Sequence, residues 1–176
     1  MDLRPRDNRG MPVSNDTFAR PRHLPHLEKS GKSYFITFAT IHREVLPPIA
    51  RDIALSCCVH DHRILYWLHS AVIMPDHVHA ILTPCEQSSL STILDAIKGA
   101  SAHLINRNLG RRGHLWQDES FDRILRAGEE IRKKAEYICN NPVRAGLATT
   151  ADDWPWIWRE WAEGRRDSRG RLSSTV

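Results

Sequence analysis

Two short stretches of this chain hold residue types that could do chemistry together. Tyr137-Ile138-Cys139-Asn140-Asn141-Pro142 places a tyrosine four residues ahead of an amide, just before a proline that should end a helix. His77-Val78-His79 places two imidazoles at i and i+2 inside an apolar run. One stretch offers a nucleophile and the other offers metal ligands. The pair suggests a metal-assisted attack on a phosphodiester, with DNA as the expected substrate.

Each signal also has a plainer alternative. On a strand, His77 and His79 point to one face while Val78, Ala80 and Leu82 point to the other and can fill a core. Two neutral imidazoles a few ångströms apart can chelate one divalent cation and leave positions for substrate oxygens; they can equally be solvent-facing histidines on a sheet. At i and i+4, Tyr137 and Asn141 would be neighbours on one helix face, offset from an Ile131/Ala135/Ile138 stripe. Tyrosine there could attack a phosphate while the amide oxygen completes a metal's ligand set. It could also pack at the core's edge, with the asparagine capping the helix.

Other clusters compete for attention. Cys57, Cys58, His60 and His62 are metal-type residues, but cysteines on an amphipathic helix pack as small hydrophobes. Arg132-Lys133-Lys134, Arg107/Arg111/Arg112 and Arg165/Arg166/Arg169/Arg171 are candidate phosphate contacts or solvated faces. Trp154, Trp156, Trp158 and Trp161 could stack on unpaired bases, but core or lid packing is the expected role for most of them.

The elements that must position these residues follow from the pattern. Residues 1–32 are rich in Arg, Pro and His without periodicity and read as a basic arm. Tyr34 to Thr40 is β-branched and aromatic, a strand. Pro47-Pro48 opens a helix to about Val59. Ile64 to Met74 and His77 to Leu82 form a hairpin around Pro75-Asp76. Ser88-Ser89 caps a helix whose apolar spacing runs to Gly110. Phe121 to Arg126 is a short strand, and Glu129-Glu130 start a last helix that Pro142 closes. The order β-α-β-β-α-β-α predicts an α+β fold, a ferredoxin-like antiparallel sheet with helices on one face, followed by one extra helix. Residues 33–150 read as the catalytic domain and 151–176 as a Trp-rich, basic tail.

Composition sets the outer bounds. A chain of 176 residues fits one domain with a real core. The net charge of +4 is unevenly placed. Residues 1–32 carry seven Lys/Arg against four acids, whereas 33–106 carry four against six. Positive charge at both ends favours a polyanionic partner. Four cysteines without C-x-x-C spacing suit reduced thiols in a cytoplasmic protein rather than a disulfide framework or zinc knuckle. No apolar run is long enough for a membrane helix, and the N-terminus lacks a signal peptide's apolar core.

The sequence resembles the HUH single-tyrosine transposases, and within them the REP-associated branch. The resemblance rests on Tyr34 to Phe38, Val72 to His79 (VIMPDHVH), Ile97-Lys98-Gly99, Leu115-Trp116-Gln117, Phe121 to Arg126 and Tyr137 to Leu147 (YICNNPVRAGL), with Arg20 to Pro25 ahead of them. It implies an HUH endonuclease domain acting on single-stranded DNA, often folded as a palindromic hairpin. It assigns Tyr137 as the nucleophile forming a 5′-phosphotyrosine and His77, His79 and Asn141 as ligands of Mg²⁺ or Mn²⁺. Arg20, Arg22, Lys98, Trp116, Gln117, Arg123, Arg126, Arg132, Lys133 and Arg144 are the expected DNA contacts, and the protein is expected as a monomer or homodimer. The absence of a G-x-x-x-x-G-K-[ST] loop agrees with strand transfer that needs no ATP. Three rivals stand beside this reading: a relaxase or replication initiator, for which the chain is short; a domesticated protein that binds REP hairpins without cleaving them; and a small metallohydrolase, for which no further ligand stands out.

Overall fold

The computed structural model describes residues 31–126 and 130–162. Five strands form one antiparallel sheet in the order β4-β1-β3-β2-β5. They are β1 (Tyr34–Ala39), β2 (Tyr66–Ile73), β3 (His77–Pro84), β4 (Phe121–Ile124) and β5 (Ile157–Arg159). The helices are α1 (Pro48–His60), α2 (Leu90–Leu109), α3 (Ile131–Cys139) and α4 (Asn141–Arg144). The first four strands with α1 and α2 make the expected ferredoxin-like unit.

Local chemistry places the helix ends. Pro48 sits in the first turn of α1, where a missing N–H costs nothing. Ser89 caps α2 by accepting from the Thr92 N–H at 3.0 Å, and Gly110 closes it at φ 63°, a left-handed conformation that glycine adopts without a Cβ clash.

The sheet has a different core on each face. Tyr34, Ile36, Phe38, Val78, Ala80 and Leu82 pack against Ala50, Ala54 and Cys58 of α1 and Leu90, Ile93 and Ile97 of α2. Val72 and Ile81 point the other way and pack with Leu125, Trp154 and the Ala135, Ile138 and Cys139 stripe of α3. The extra helix therefore covers the face that α1 and α2 leave open. A bulge at His69 shifts the β2–β3 register between Leu68 and Ser70. That one residue resets the alternation, so that Ala71 and Ile73 face α1 and α2 while Val72 faces α3.

The segment expected as a tail departs from that reading in its first part. Residues 151–162 belong to the domain: β5 pairs with β2, and Trp154 and Trp158 are buried. Apolar area decides this, because indoles that could stack on bases gain more from closing the two cores. Glu160 accepts from the His69 Nδ1 at 3.0 Å, tying the chain after β5 to the bulge. Residues 163–176 and the arm before residue 31 lie outside the described residues.

Candidate active site on the third strand and the third helix

The register of β1 on β3 sets Thr37 opposite His79 and Phe35 opposite Ile81. Opposed residues share a face, so Thr37, Phe35, His77 and His79 all lie on the side covered by α3. The strand alternation expected for His77-Val78-His79 holds, with Val78 fully buried on the far side.

The two imidazoles converge. The His77 and His79 Nε2 atoms are 3.1 Å apart, with the rings nearly perpendicular. Each outer nitrogen has its own partner. The His77 Nδ1 donates to the Asp76 carboxylate at 2.5 Å, and the His79 Nδ1 lies 2.8 Å from the Thr37 hydroxyl. A carboxylate only accepts, so the His77 Nδ1 carries a proton, and in the neutral ring Nε2 presents a lone pair. Asp76 is held in turn by Arg43 at 3.1 Å, and its carbonyl accepts from both the Thr40 N–H and the Thr40 hydroxyl. His42 and Arg43 both adopt positive φ, 54° and 58°, in the turn that delivers this guanidinium. Strain of that kind persists only where surrounding contacts hold it.

Burial pushes His79 down to about 3, helped by the charges of His77 and Arg43 and opposed by Asp76. Its imidazole is therefore neutral, the form that binds metals. Two imidazole nitrogens 3.1 Å apart could both reach one divalent ion at ordinary bond lengths of about 2.1 Å. The donor set fits a divalent cation. The expected group of His77 and His79 is thus brought together, with Asp76 and Thr37 in the orienting role that such ligands require.

Tyr137 and Asn141 are not on one continuous helix. α3 ends at Cys139, Asn140 breaks it with φ −86° and ψ 0°, and Pro142 sits in the first turn of α4 rather than closing a chain end. The capping role falls to Asn140, whose side-chain amide donates to the Glu136 carbonyl at 3.2 Å. Asn141 is released from it. Arg144 joins the two candidates: its guanidinium lies 4.7 Å from the Tyr137 ring centroid, and one of its nitrogens is 3.5 Å from the Asn141 Oδ1. Tyr137 is half-exposed.

Lys134 also lies near the tyrosine, its Nζ 5.1 Å from the Tyr137 ring and 5.9 Å from the Phe35 ring. Phe35 stacks on His79 with centroids 5.7 Å apart. A series of contacts thus runs from the paired histidines through Phe35 and Lys134 to the tyrosine. Sequence reasoning missed Thr37 and Phe35 because their place depends on the register of β1 against β3, which no local motif encodes.

The expected DNA contacts divide. Arg123 faces the same side as the histidines, opposite Phe35 in the β1–β4 register, and Arg126 follows β4 on the surface. Arg132 pairs with Glu136 at 2.6 Å and lies over Trp161, while Lys133 pairs with Glu130 at 2.9 Å. Gln117 is exposed and donates to the Thr40 carbonyl beside the Asp76 turn. Arg20 and Arg22 lie outside the described residues.

Two expected contacts have partners within the fold. Trp116 is 4% exposed, edge-on to Phe38, with its indole N–H given to the Ser101 hydroxyl at 2.9 Å, so its ring offers no face to a base. Lys98 stands on α2, and its ammonium donates to the Asp118 carbonyl and Ser120 hydroxyl, which makes it a brace for the loop before β4. Burial lowers its pKa, against the pull of Asp118 and Asp95. The competing Cys57/Cys58/His60/His62 cluster disperses. Cys58 is buried, His60 faces Asp61 at the surface, and His62 accepts from the Leu68 N–H.

The chain is similar to known proteins in sequence and in fold. A REP-associated tyrosine transposase from Escherichia coli (strain K12) is 27% identical over 90 residues, 51% of this chain and 52% of that one. The match spans about half of each. A REP-associated tyrosine transposase solved bound to a REP hairpin superposes with a TM-score of 0.63 at 20% identity, covering 89% of this chain and 96% of that one. At that identity the likeness is one of fold. Residues 41–141 match the IS200-like transposases, a span running from the turn that delivers Arg43, through the paired histidines, to Tyr137 and Asn141. With more than half of its length matched, the chain belongs to the IS200-like transposase family.

Proposed function

We propose that this protein cuts and rejoins single-stranded DNA through a 5′-phosphotyrosine on Tyr137, with Mg²⁺ or Mn²⁺ held by His77, His79 and Asn141, on REP-like hairpins. The observation that carries this reading is the pair of Nε2 atoms 3.1 Å apart on the sheet face that the tyrosine-bearing helix covers. When bound, the ion would withdraw charge from the scissile phosphate and stabilise the leaving oxygen. The chain's own residues do the rest. Asp76 and Thr37 orient the imidazoles. The Tyr137 hydroxyl oxygen attacks phosphorus; its bond to phosphorus forms as the bond to the 3′ oxygen breaks. The phenolic proton passes to solvent, and the departing 3′ oxygen takes up a proton. The phosphotyrosine keeps a phosphodiester's bond energy, so rejoining to a second 3′-OH needs no nucleotide cofactor.

The test is covalent trapping. A labelled single-stranded hairpin oligonucleotide, incubated with protein and Mn²⁺ or Mg²⁺, should give an adduct that survives denaturing electrophoresis and maps to Tyr137. Tyr137→Phe should abolish the adduct and keep the fold and hairpin retardation, because only a half-exposed hydroxyl is lost. Wild-type adduct levels in that variant would place the nucleophile elsewhere. EDTA should mimic His77→Ala/His79→Ala, and each histidine change should cost more than Asn141→Ala, since imidazole is the stronger ligand for Mn²⁺. Full cleavage in chelator would remove the metal from the reading. Retardation without any adduct would favour the non-cleaving hairpin binder.

A further inference from the structure

The cations of α3 are not equivalent. Arg132 and Lys133 are exposed, and each already has a carboxylate within 3 Å. Lys134 is half-buried, points toward the sheet face of the paired histidines, and has no carboxylate partner among the described residues. Its ammonium lies near two aromatic rings: Phe35, which stacks on His79, and Tyr137. A partly desolvated ammonium normally needs an anion, and ring faces compensate it only in part. Arg144 flanks the same tyrosine, with its own polar contact to Asn141. The Tyr137 ring thus has two cations close to its centroid, at 4.7 and 5.1 Å.

We propose that Lys134 is a catalytic residue that contacts a non-bridging oxygen of the scissile phosphate and keeps that phosphate in line with the Tyr137 hydroxyl. This rests on the proposed nucleophile. Of the three α3 cations expected as phosphate contacts, the catalytic role then falls to the one that faces inward. Contact with that phosphate is made in the bound ground state and strengthens as charge shifts to the non-bridging oxygens during attack.

The test separates binding from chemistry. The probes are single-stranded hairpin oligonucleotides from palindromic repeats flanking the gene, each with one phosphate replaced by an uncharged methylphosphonate, moved linkage by linkage along the strand. Affinities are measured in the Tyr137→Phe background, with and without Lys134→Met. At one linkage, the methylphosphonate and Lys134→Met should each weaken binding, and the two together should cost no more than either alone. On unmodified DNA, Lys134→Met should reduce the log-log salt slope by about 0.7, one phosphate's worth. With intact Tyr137, the coupled linkage should be the one that is cut. At saturating DNA, Lys134→Met should then slow adduct formation at least about ten-fold, and Lys134→Arg should recover most of it. Coupling at no linkage, coupling at a linkage other than the one cut, or a wild-type adduct rate for Lys134→Met would overturn the assignment. If the wild-type protein formed no adduct, the nucleophile reading would fail, while the coupling scan would still decide whether Lys134 meets a phosphate.

Discussion

At the scale of single residues, the paired histidines gain their chemistry from their outer nitrogens. Asp76 fixes one tautomer, and Thr37 braces the other ring. Burial does the remaining work at His79, with a consequence for stability. Its ordinary value is 6.5, and the folded chain holds it to about 3. Between those values the unfolded chain takes up a proton that the folded chain refuses, so stability is lost as pH falls through this window and is unaffected above it. Thermal melting of metal-free protein in chelator should therefore show a Tm that falls as pH is lowered from 6.5. His79→Asn should fall less steeply over the same range. Equal slopes would mean that other groups govern acid stability.

At the scale of elements, the break at Asn140 and the strap at Trp116 matter most. A continuous helix through Pro142 would have left Asn141 one turn beyond Tyr137 on the same face. The break gives capping to Asn140 and leaves Asn141 beside Arg144. Trp116-Gln117 is similarly structural in its first half: the Gln117 N–H donates to the Ala39 carbonyl and the Trp116 indole to Ser101 on α2. Ser101→Ala leaves that buried N–H without its acceptor. It should lower unfolding stability by about 1–3 kcal/mol in urea titrations, while hairpin retardation at a temperature well below the melt stays unchanged. A loss of DNA retention without a loss of stability would return Trp116 to the binding surface.

At the scale of the whole molecule, α1 and α2 fill one side of the sheet and the histidines, Phe35 and Arg123 share the other with α3. No helix among the described residues is long and apolar enough to cross a membrane. Arg132 and Lys133 of α3 are held by surface ion pairs that contribute little and can be exchanged for phosphate. Hairpin affinity should fall with salt along a log-log line of about −0.7 per neutralised phosphate. Perfect duplex should bind less well, because a base-paired strand cannot bend toward a site set on a sheet face under a helix. Equal affinity for duplex and single strand, or a flat salt response, would leave the basic residues as a solubilising surface.

The sequence by itself determined the ferredoxin-like order, the caps of α2, the alternation that sends Val78 into one core and His77 and His79 to the other face, and the motifs of the family. Those features depend on side-chain period, turn chemistry and near neighbours, which are written locally. Register and packing decided the rest. Whether Thr37 meets His79 depends on how β1 slides against β3, and which cation of Arg132-Lys133-Lys134 faces inward depends on how α3 lies on the sheet. Trp116 and the indoles after residue 151 could have stacked on bases, by composition alone. Trp116, Trp154 and Trp158 close the cores, because burying large aromatic area is worth more than exposing it, and only the assembled chain supplies the acceptors that the Trp116 and Trp154 N–H groups meet.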